Sequence, residues 1–229
     1  MKTYFSKNNI AIFIALLFHV SGIIGILFTP YKNWFIANTP LNLVLMLVLL
    51  IWVQPRKNLS FFLFIAIAFL VGMGTEMIGV NTGKLFGHYQ YGTIMGNKLN
   101  GVPYLIGINW FIVVFSSGII IHTFNNWVEE KYIAAGIQMR PILKTLSFIF
   151  DGALLATIFD YNIEPVAIHL NFWQWQNNNV PMYNFICWFV ISGALLAIFR
   201  WLKFDKRNHF AIHLFIIQFL FFIALQTYL

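Results

Sequence analysis

The chain is poor in charged residues and has a single cysteine. Aspartate, glutamate, lysine and arginine make up 9% of its 229 residues, whereas soluble domains average about 25%. So little charge cannot cover the surface of a water-soluble globule, and a hydrophobic fraction of 60% excludes an intrinsically disordered chain. Cys187 has no second cysteine for an internal disulfide bond, which excludes a disulfide-stabilised scaffold. The composition therefore indicates a membrane protein.

Long apolar runs are the main feature that the sequence does contain. A spanning helix needs about 20 mostly apolar residues, and runs such as LNLVLMLVLLIWV lack the alternation of a barrel strand. We therefore predict an all-α integral-membrane helical bundle that forms a single transmembrane domain over residues 1–229. Seven spans are expected, near residues 10–29, 36–53, 59–78, 103–123, 142–161, 183–202 and 209–227.

The basic residues predict the orientation of these spans. Counted with the bases at the span ends, 11 of the 14 lysines and arginines lie on the side of the N-terminus, and Lys32, Lys84 and Lys98 lie on the other side. The positive-inside rule then places the N-terminus in the cytoplasm and the C-terminus outside. No basic run exceeds two residues, so the net charge of +7 indicates topology and not a nucleic-acid partner.

The first span resembles the core of a signal peptide. No small-x-small cleavage site followed by a polar region comes after it, so we expect the span to be retained. The expected location is the inner (cytoplasmic) membrane, which the chain crosses several times.

Four of the seven acidic residues lie in or beside predicted spans. Glu76 falls in the last turn of the third span, Asp151 near the middle of the fifth, and Asp160 and Glu164 at the outer end of the fifth. An ionisable group in a span costs about 2.5 to 3.5 kcal/mol on insertion scales, which suggests a function. With the predicted topology, Glu76, Asp160 and Glu164 meet at the outer face. A structural alternative is that they only extend to the interface beside an ordinary aromatic belt.

The spacing of the acids on the fifth span limits which of them can face the same site. Asp160 and Glu164 are four residues apart and lie on one helical face. Pro165 disfavours a helical backbone at the preceding residue and leaves open whether the helix ends there. Asp151 is half a turn out of phase with Asp160, so we expect it to face a deeper part of the cavity or a polar group of another helix.

Other chemistries have weak support in this sequence. His209 and His213 have a spacing that can hold a metal, but no further ligand accompanies them, so we expect no metal site. Six dispersed histidines are too few for a di-iron oxygenase, and the chain has no phosphate-binding glycine loop and no GxSxG motif. The last span has no lysine for a retinal Schiff base. A small proton-coupled transporter stays open as an alternative, although no internal repeat supports it.

Several outer segments resemble a known family. NTGKLFGHYQYG, KLNGVPYLIGINW, FDYNIEPVAIHLNFWQW and PMYNFICW resemble segments of the membrane-bound carotenoid 1,2-hydratases, which include gamma-carotene 1'-hydroxylases and bisanhydrobacterioruberin hydratases. The resemblance covers about residues 72–190 and is most specific over 160–175. It implies a role in carotenoid biosynthesis, in which water adds to the terminal isopropylidene double bond of an acyclic carotenoid such as lycopene without a cofactor. A cofactor-free cyclase of such end groups is a close alternative.

The acids and polar residues suit such a reaction independently of the resemblance. Alkene hydration needs a proton donor, and Asp160 or Glu164 is a candidate because burial favours an uncharged carboxyl group. A water molecule must also be held and deprotonated, for which Glu76 is a candidate together with His88 or Asn81.

The aromatic residues suit the cation that protonation would form. The ring faces of Trp173, Trp175 and Tyr91 attract positive charge. The expected partners are a carotenoid or other polyene lipid and the lipids of the membrane, and other enzymes of the same pathway are conceivable partners. Further candidate substrate contacts are Tyr89, Lys98, Asn109, Trp110, Asp151 and His169.

Overall fold

A computed structural model describes residues 6–176 and 179–229, and within them the chain is mainly helical, which confirms the all-α prediction. Lys2, one of the bases counted above, lies outside the described residues. The helices are α1 (Lys7–Phe28), α2 (Lys32–Ala37), α3 (Thr39–Val53), α4 (Leu59–Thr82), α5 (Tyr104–Ala134), α6 (Pro141–His169), α7 (Met182–Trp201) and α8 (His209–Tyr228). The strands are β1 (Tyr89–Tyr91), β2 (Lys98–Leu99), β3 (Val102–Pro103) and β4 (Trp173–Trp175).

Six of the described helices are long and apolar enough to cross a membrane, namely α1, α4, α5, α6, α7 and α8. The second predicted span is divided, because α2 ends at Ala37 and α3 begins at Thr39. With 15 residues and a rise of about 1.5 Å per residue, α3 is shorter than the roughly 30 Å hydrocarbon layer. By length, the structure therefore gives six spans where the sequence predicted seven. This number is typical of a multi-pass membrane protein.

Polar contacts place several helix ends together at one end of the bundle. The Lys7 ammonium at the start of α1 lies 5.9 Å from the centroid of the Trp52 ring near the end of α3. Asn208, which precedes α8, donates its side-chain amide to Gln54 Oε1 just after α3, at 3.0 Å. We call this the basal end, and the opposite end, where α4 and α6 finish, the apical end.

The long helix α5 lies at the centre of the bundle. It packs against α3, α4, α6, α7 and α8, and its residues 110–119 are all buried. Toward the basal end, Phe64 of α4 and Phe199 of α7 pack edge to face with their ring centroids 5.2 Å apart. Phe115 of α5 lies 6.0 Å from the same Phe199 ring. These aromatic contacts hold α4, α5 and α7 together and leave the apical half for polar side chains.

The helices that carry the acids run further than predicted. Helix α4 continues to Thr82 and stops at Gly83, whose φ of +65° is the left-handed conformation that glycine adopts readily. Glu76 therefore lies inside the helix and not in its last turn. Helix α6 continues through Pro165 to His169, so the helix does not end at Glu164. The Pro165 ring is exposed, and the missing N–H costs one intrahelical hydrogen bond without stopping the helix.

Candidate active site at the apical end

At the apical end, the connection between α4 and α5 pairs with the connection between α6 and α7 through two antiparallel strands. In the pairing of β1 with β4, Tyr89 lies opposite Trp175 and Tyr91 opposite Trp173. Alternate residues of a strand face the same side, so these four aromatic side chains share one face. The residue between the tyrosines, Gln90, is exposed. The strand pair therefore places four aromatic rings over the ends of the helices below.

Glu76 lies beneath this aromatic face and receives three hydrogen bonds. The Tyr89 hydroxyl donates a short hydrogen bond to Oε2, and the Tyr91 hydroxyl donates to the same oxygen at 2.7 Å. The Trp110 indole N–H donates to Oε1 at 2.9 Å. Since an ionised carboxylate only accepts hydrogen bonds, this environment suits a charged Glu76.

The donors around Glu76 are themselves fixed in place. Trp110 stacks on Trp188 of α7, with ring centroids 3.7 Å apart and ring planes 4° from parallel. A Cβ atom at Gly72 of α4 would collide with Trp110, so glycine allows the indole to approach the helix that carries Glu76. Burial, and then the charge of Glu76, raise the pKa of Tyr91 well above its ordinary value. This phenol therefore stays protonated and continues to donate.

Glu164 also receives its hydrogen bonds from nitrogen donors. The indole N–H groups of Trp173 and Trp175 both donate to Oε2 at 2.8 Å. On the other oxygen, Oε1, the Asn184 amide makes a long contact of 3.5 Å. Oε1 therefore has lone pairs that are not occupied by a strong protein hydrogen bond.

Asp160 has fewer donors than the two glutamates. Its described partner is the Asn184 side-chain amide, which donates to Oδ2 at 2.9 Å. Asn184 lies in the first turn of α7 and contacts both Asp160 and Glu164 through its one side-chain nitrogen atom. Of the three acids, Asp160 is the one whose hydrogen bonds leave the most room for a proton of its own.

The three acids are buried without a cation. Glu76, Asp160 and Glu164 are each 4% exposed, and the ion pairs among the described residues join other side chains. Three uncompensated negative charges at one buried site would be very costly. At least one of the three must therefore hold a proton.

The acids line a small cavity of about 20 Å³. This volume is close to that needed for one water molecule and is too small for the end of a carotenoid. Asn109 reaches the cavity from α5, and its side chain makes no hydrogen bond with the described residues. The complete lining consists of Glu76, Phe86, Tyr89, Tyr91, Ile106, Asn109, Asp160, Glu164, Trp173, Trp175, Asn184 and Trp188.

Most of the candidate residues from the sequence come together here, but three polar ones do not. His88, Asn81 and His169 are exposed and do not line the cavity. The Asn81 amide donates to the Met77 and Asn100 carbonyl oxygens instead, which connects the end of α4 to its following loop. These three side chains are therefore not in a position to hold a water molecule between the acids.

Two more candidates act elsewhere. Lys98 donates its ammonium group to the Tyr91 carbonyl oxygen at 2.6 Å, so it supports β1 from outside the cavity. Asp151 lines a separate cavity toward the basal end, together with Arg200. Along α6 it lies about 13 Å from Asp160, and its side chain is rotated by half a turn about the helix axis. The sequence-based assignment of Asp151 to the apical substrate site is therefore not supported by its position.

Four lining residues were not among the candidates, namely Phe86, Ile106, Asn184 and Trp188. Asn184 is a polar residue at the start of an apolar span, and that placement beside acidic helix ends could have identified it. Phe86 has a φ of +63°, a conformation that costs about 1 to 3 kcal/mol for a side chain of this size. Its backbone N–H donates to Cys187 Sγ at 3.4 Å, and no sequence pattern signals this geometry.

Comparisons with known proteins point to one family. A family model described as carotenoid biosynthesis protein matches residues 37–229. The bisanhydrobacterioruberin hydratase of Haloarcula japonica is 25% identical over 143 residues, which are 61% of this chain and 44% of that protein. The chain therefore matches less than half the length of this curated relative. No solved structure shows significant similarity to the chain.

Proposed function

The chain belongs to the carotenoid biosynthesis protein family, and we propose that it adds water to the terminal double bond of an acyclic carotenoid. The family match confirms the resemblance seen in the outer segments. A relative that is a hydratase supports the reaction class. The single observation that carries the proposal is the cavity of one water volume between three buried carboxyl groups, under a layer of aromatic rings.

In this proposal Asp160 is the proton donor. Its carboxyl proton passes to the less substituted carbon of the terminal double bond, whose π electrons form the new C–H bond and leave a tertiary cation. The rings of Trp173, Trp175 and Tyr91 face the cavity and stabilise this positive charge. Glu76 keeps its negative charge and adds electrostatic stabilisation from below.

Water then captures the cation. Its oxygen forms the C–O bond, and Glu164 accepts the proton that the water loses, through the oxygen with only a long contact to Asn184. The free amide of Asn109 orients the water. The proton returns from Glu164 to its neighbour Asp160, so one water molecule is added and no electrons are exchanged with a cofactor.

The substrate end must displace side chains to reach the acids. A cavity of about 20 Å³ holds a water molecule but not an isopropylidene group. Trp173 and Asn109 are half-buried members of the lining, and movement of either side chain would open the cavity. The polyene chain stays in the hydrocarbon layer, and only its end reaches the polar site.

We further propose that α3 is a short seventh span in the inner membrane, with the N-terminus in the cytoplasm. The start of α1, the end of α3 and the start of α8 all lie at the basal end, which is the arrangement that seven alternating spans would produce. The apical site would then face the outer side of the membrane.

The test is expression of the chain in a cell that makes lycopene, followed by mass analysis of the pigments. Hydration adds the mass of one water for each end that reacts, whereas cyclisation leaves the mass unchanged and a transporter converts nothing. Asp160→Asn should lower conversion by about 100-fold or more, as expected for loss of a general acid. Glu130→Gln changes an exposed acid at the other end of α5 and should convert as the unchanged chain does. Full conversion by Asp160→Asn would exclude this residue as the proton donor.

A further inference from the structure

A second cavity lies at the basal end, far from the acid site. It has a volume of about 330 Å³ and lies between the last turns of α5 and α7 and the first turns of α6. Its lining is a mixture of charged, amide and apolar side chains. Those residues are His122, Phe124, Asn125, Asn126, Val128, Glu129, Met139, Lys144, Ser147, Phe148, Asp151 and Arg200.

Arg200 lines this cavity with a guanidinium group that has few protein partners. Its Nε donates to the Thr145 hydroxyl at 3.0 Å, and its guanidinium lies 5.5 Å from the centroid of the Phe148 ring. Its two terminal amino groups form no hydrogen bond or ion pair with any residue that the structure describes. Such a planar pair of amino groups matches two oxygens of a phosphate.

Asp151 lines the same cavity with a carboxylate group that also has few protein partners. The Ser147 hydroxyl donates to its Oδ2 at 3.1 Å, and within the described ranges no lysine, arginine or histidine lies at ion-pair distance. Asp151 and Phe148 are three residues apart and share a face of α6, so the carboxylate lies about one turn from the ring on which Arg200 rests. The other charged pair of the lining, Lys144 and Glu129, is already joined by a salt bridge.

An unmatched cation and an unmatched anion in one cavity are complementary to a zwitterion. We propose that this cavity binds a phosphate–ammonium headgroup, that of phosphatidylethanolamine, with its phosphate on Arg200 and its ammonium on Asp151. A primary ammonium donates hydrogen bonds to a carboxylate, which the trimethylammonium of phosphatidylcholine cannot do. Phosphatidylglycerol has no cation for Asp151, and its negative charge would be repelled there.

The position of the cavity suits a lipid headgroup. Arg200 is the next-to-last residue of α7, and Lys144 lies in the first turn of α6, so these two bases lie at the depth where helices leave the hydrocarbon. Asp151 lies about two helical turns further along α6. Phe124 is 52% exposed and gives the cavity an apolar edge for the start of an acyl chain. Basic pockets between transmembrane helices on the cytoplasmic side are known to bind the phosphates of lipid headgroups.

The experiment is native mass spectrometry of the purified full chain with an equal mixture of phosphatidylethanolamine, phosphatidylcholine and phosphatidylglycerol. The unchanged chain should retain phosphatidylethanolamine about tenfold more than either other lipid, which corresponds to a difference of about 1.4 kcal/mol in binding free energy. Arg200→Gln should reduce retention of all phospholipids to background, and Asp151→Asn should remove the preference for ethanolamine over choline.

Matched controls remove the same charges elsewhere. Arg56→Gln and Glu130→Gln change exposed residues that do not line the cavity, and both should keep the tenfold preference. Equal retention of the three lipids, or a preference for phosphatidylglycerol that Asp151→Asn leaves unchanged, would overturn the proposal. The headgroup could come from a membrane lipid or from a free soluble compound, and added glycerophosphoethanolamine distinguishes the two. This soluble compound should displace the lipid only weakly if the cavity is a lipid site. Strong retention of the soluble compound would overturn the assignment to a lipid. The readout is binding, so its outcome does not depend on the proposed hydration.

Discussion

The three buried carboxyl groups differ in how many hydrogen-bond donors surround them, and their proposed roles rest on this difference. Glu76 receives two phenol hydroxyls and one indole N–H. Glu164 receives two indole N–H groups and a distant amide, whereas Asp160 receives one amide. A group surrounded by donors is stabilised as an anion, and a group with one donor can hold a proton. In the proposed mechanism, this difference separates a charged Glu76 from a proton-donating Asp160 without any basic residue.

This difference predicts opposite stability effects for two conservative changes. In Glu76→Gln, the new NH₂ group either faces the Trp110 indole N–H, which cannot accept, or forces the tyrosine hydroxyls to turn their hydrogens away. We expect a loss of about 1 to 3 kcal/mol in unfolding free energy. Asp160→Asn keeps an oxygen for Asn184 and should change stability by less than about 1 kcal/mol.

Unfolding in a denaturant series, with the protein in detergent, measures both changes. Glu129→Gln is the control at the basal end, where loss of one partly exposed salt bridge should cost no more than about 1 kcal/mol. A Glu76→Gln chain as stable as the unchanged one would contradict the three-donor environment of this carboxylate.

Asn184 is a positioning residue, since its amide nitrogen contacts both Asp160 and Glu164. Asn184→Leu keeps the volume but removes both contacts, so each acid can turn away from the reacting carbon. We expect kcat to fall by about 10- to 100-fold with little change in KM, because the lost contacts are to the acids and not to the polyene.

Asn162 provides a matched control for this prediction. It is also buried, but its amide donates to the Phe219 carbonyl oxygen of α8 at 2.9 Å. Asn162→Leu should therefore lower stability and leave kcat per folded molecule unchanged. Equal losses of kcat in the two variants would mean that Asn184 acts only through the fold.

The sequence predicted the acids of the site better than its amides. Buried acids are conspicuous in an apolar chain, and Glu76, Asp160 and Glu164 could be grouped from topology alone. The exposed positions of His88 and Asn81 could not be predicted, because they depend on how the loop after α4 folds back. Loop geometry is set by backbone conformations such as the positive φ of Phe86, for which an ordinary side chain gives no warning.

Among the elements, the β1–β4 pair is the part that closes the site from above. Gly92 follows β1, and its N–H donates to the Phe172 carbonyl oxygen at 2.8 Å. A Cβ atom at this glycine would collide with the Asn171 carbonyl oxygen, which belongs to the backbone and cannot rotate away. The close approach of the two connections therefore requires glycine here.

Gly92→Ala should accordingly separate β1 from β4. We expect a loss of about 1 to 3 kcal/mol in stability and a fall in conversion of at least about tenfold, because the aromatic rings lose their alignment over the acids. Gly74→Ala is the control, since a Cβ atom there meets no other atom within 4 Å and alanine favours the helix. Pigment conversion and unfolding of both variants measure the difference. Unchanged conversion in Gly92→Ala would show that strand pairing is not needed.

The elements also show what an apolar pattern can and cannot predict. The long helices were expected from their runs of apolar residues, and their positions agree with α1 and α4 to α8. The break between α2 and α3 was missed because Asn38 and Thr39 interrupt the apolar run only briefly. The β1–β4 pair was missed because it depends on contacts between residues 82 to 86 positions apart, such as Tyr89 with Trp175, and no local period of the sequence reports such contacts.

Across the whole molecule, helix packing fixes which ends belong together. His19 of α1 and Phe221 of α8 pack edge to face, with ring centroids 5.3 Å apart, and each lies 12 residues after the start of its helix. This contact lies near the middle of both helices, and both helices begin at the basal end. The two helices therefore run in the same direction, and an odd number of crossings must lie between the end of α1 and the start of α8. This packing supports α3 as a seventh crossing even though it has only 15 residues.

The orientation of the bundle then decides where the chemistry occurs. A reporter that is active only outside the cytoplasm should be active when fused after Leu229 and inactive when fused within the basal connection at Arg56, because the basic residues of that end remain in the cytoplasm. A reporter inserted at Gly96, in the apical loop after β1, should behave as the C-terminal fusion does. A fourth reporter inserted at Pro30, between α1 and α3, should behave as the C-terminal fusion does. If the reporters at Pro30 and Arg56 show the same side, α3 does not cross the membrane. If all four signals are reversed, the acid site opens to the cytoplasm and must draw its water from there.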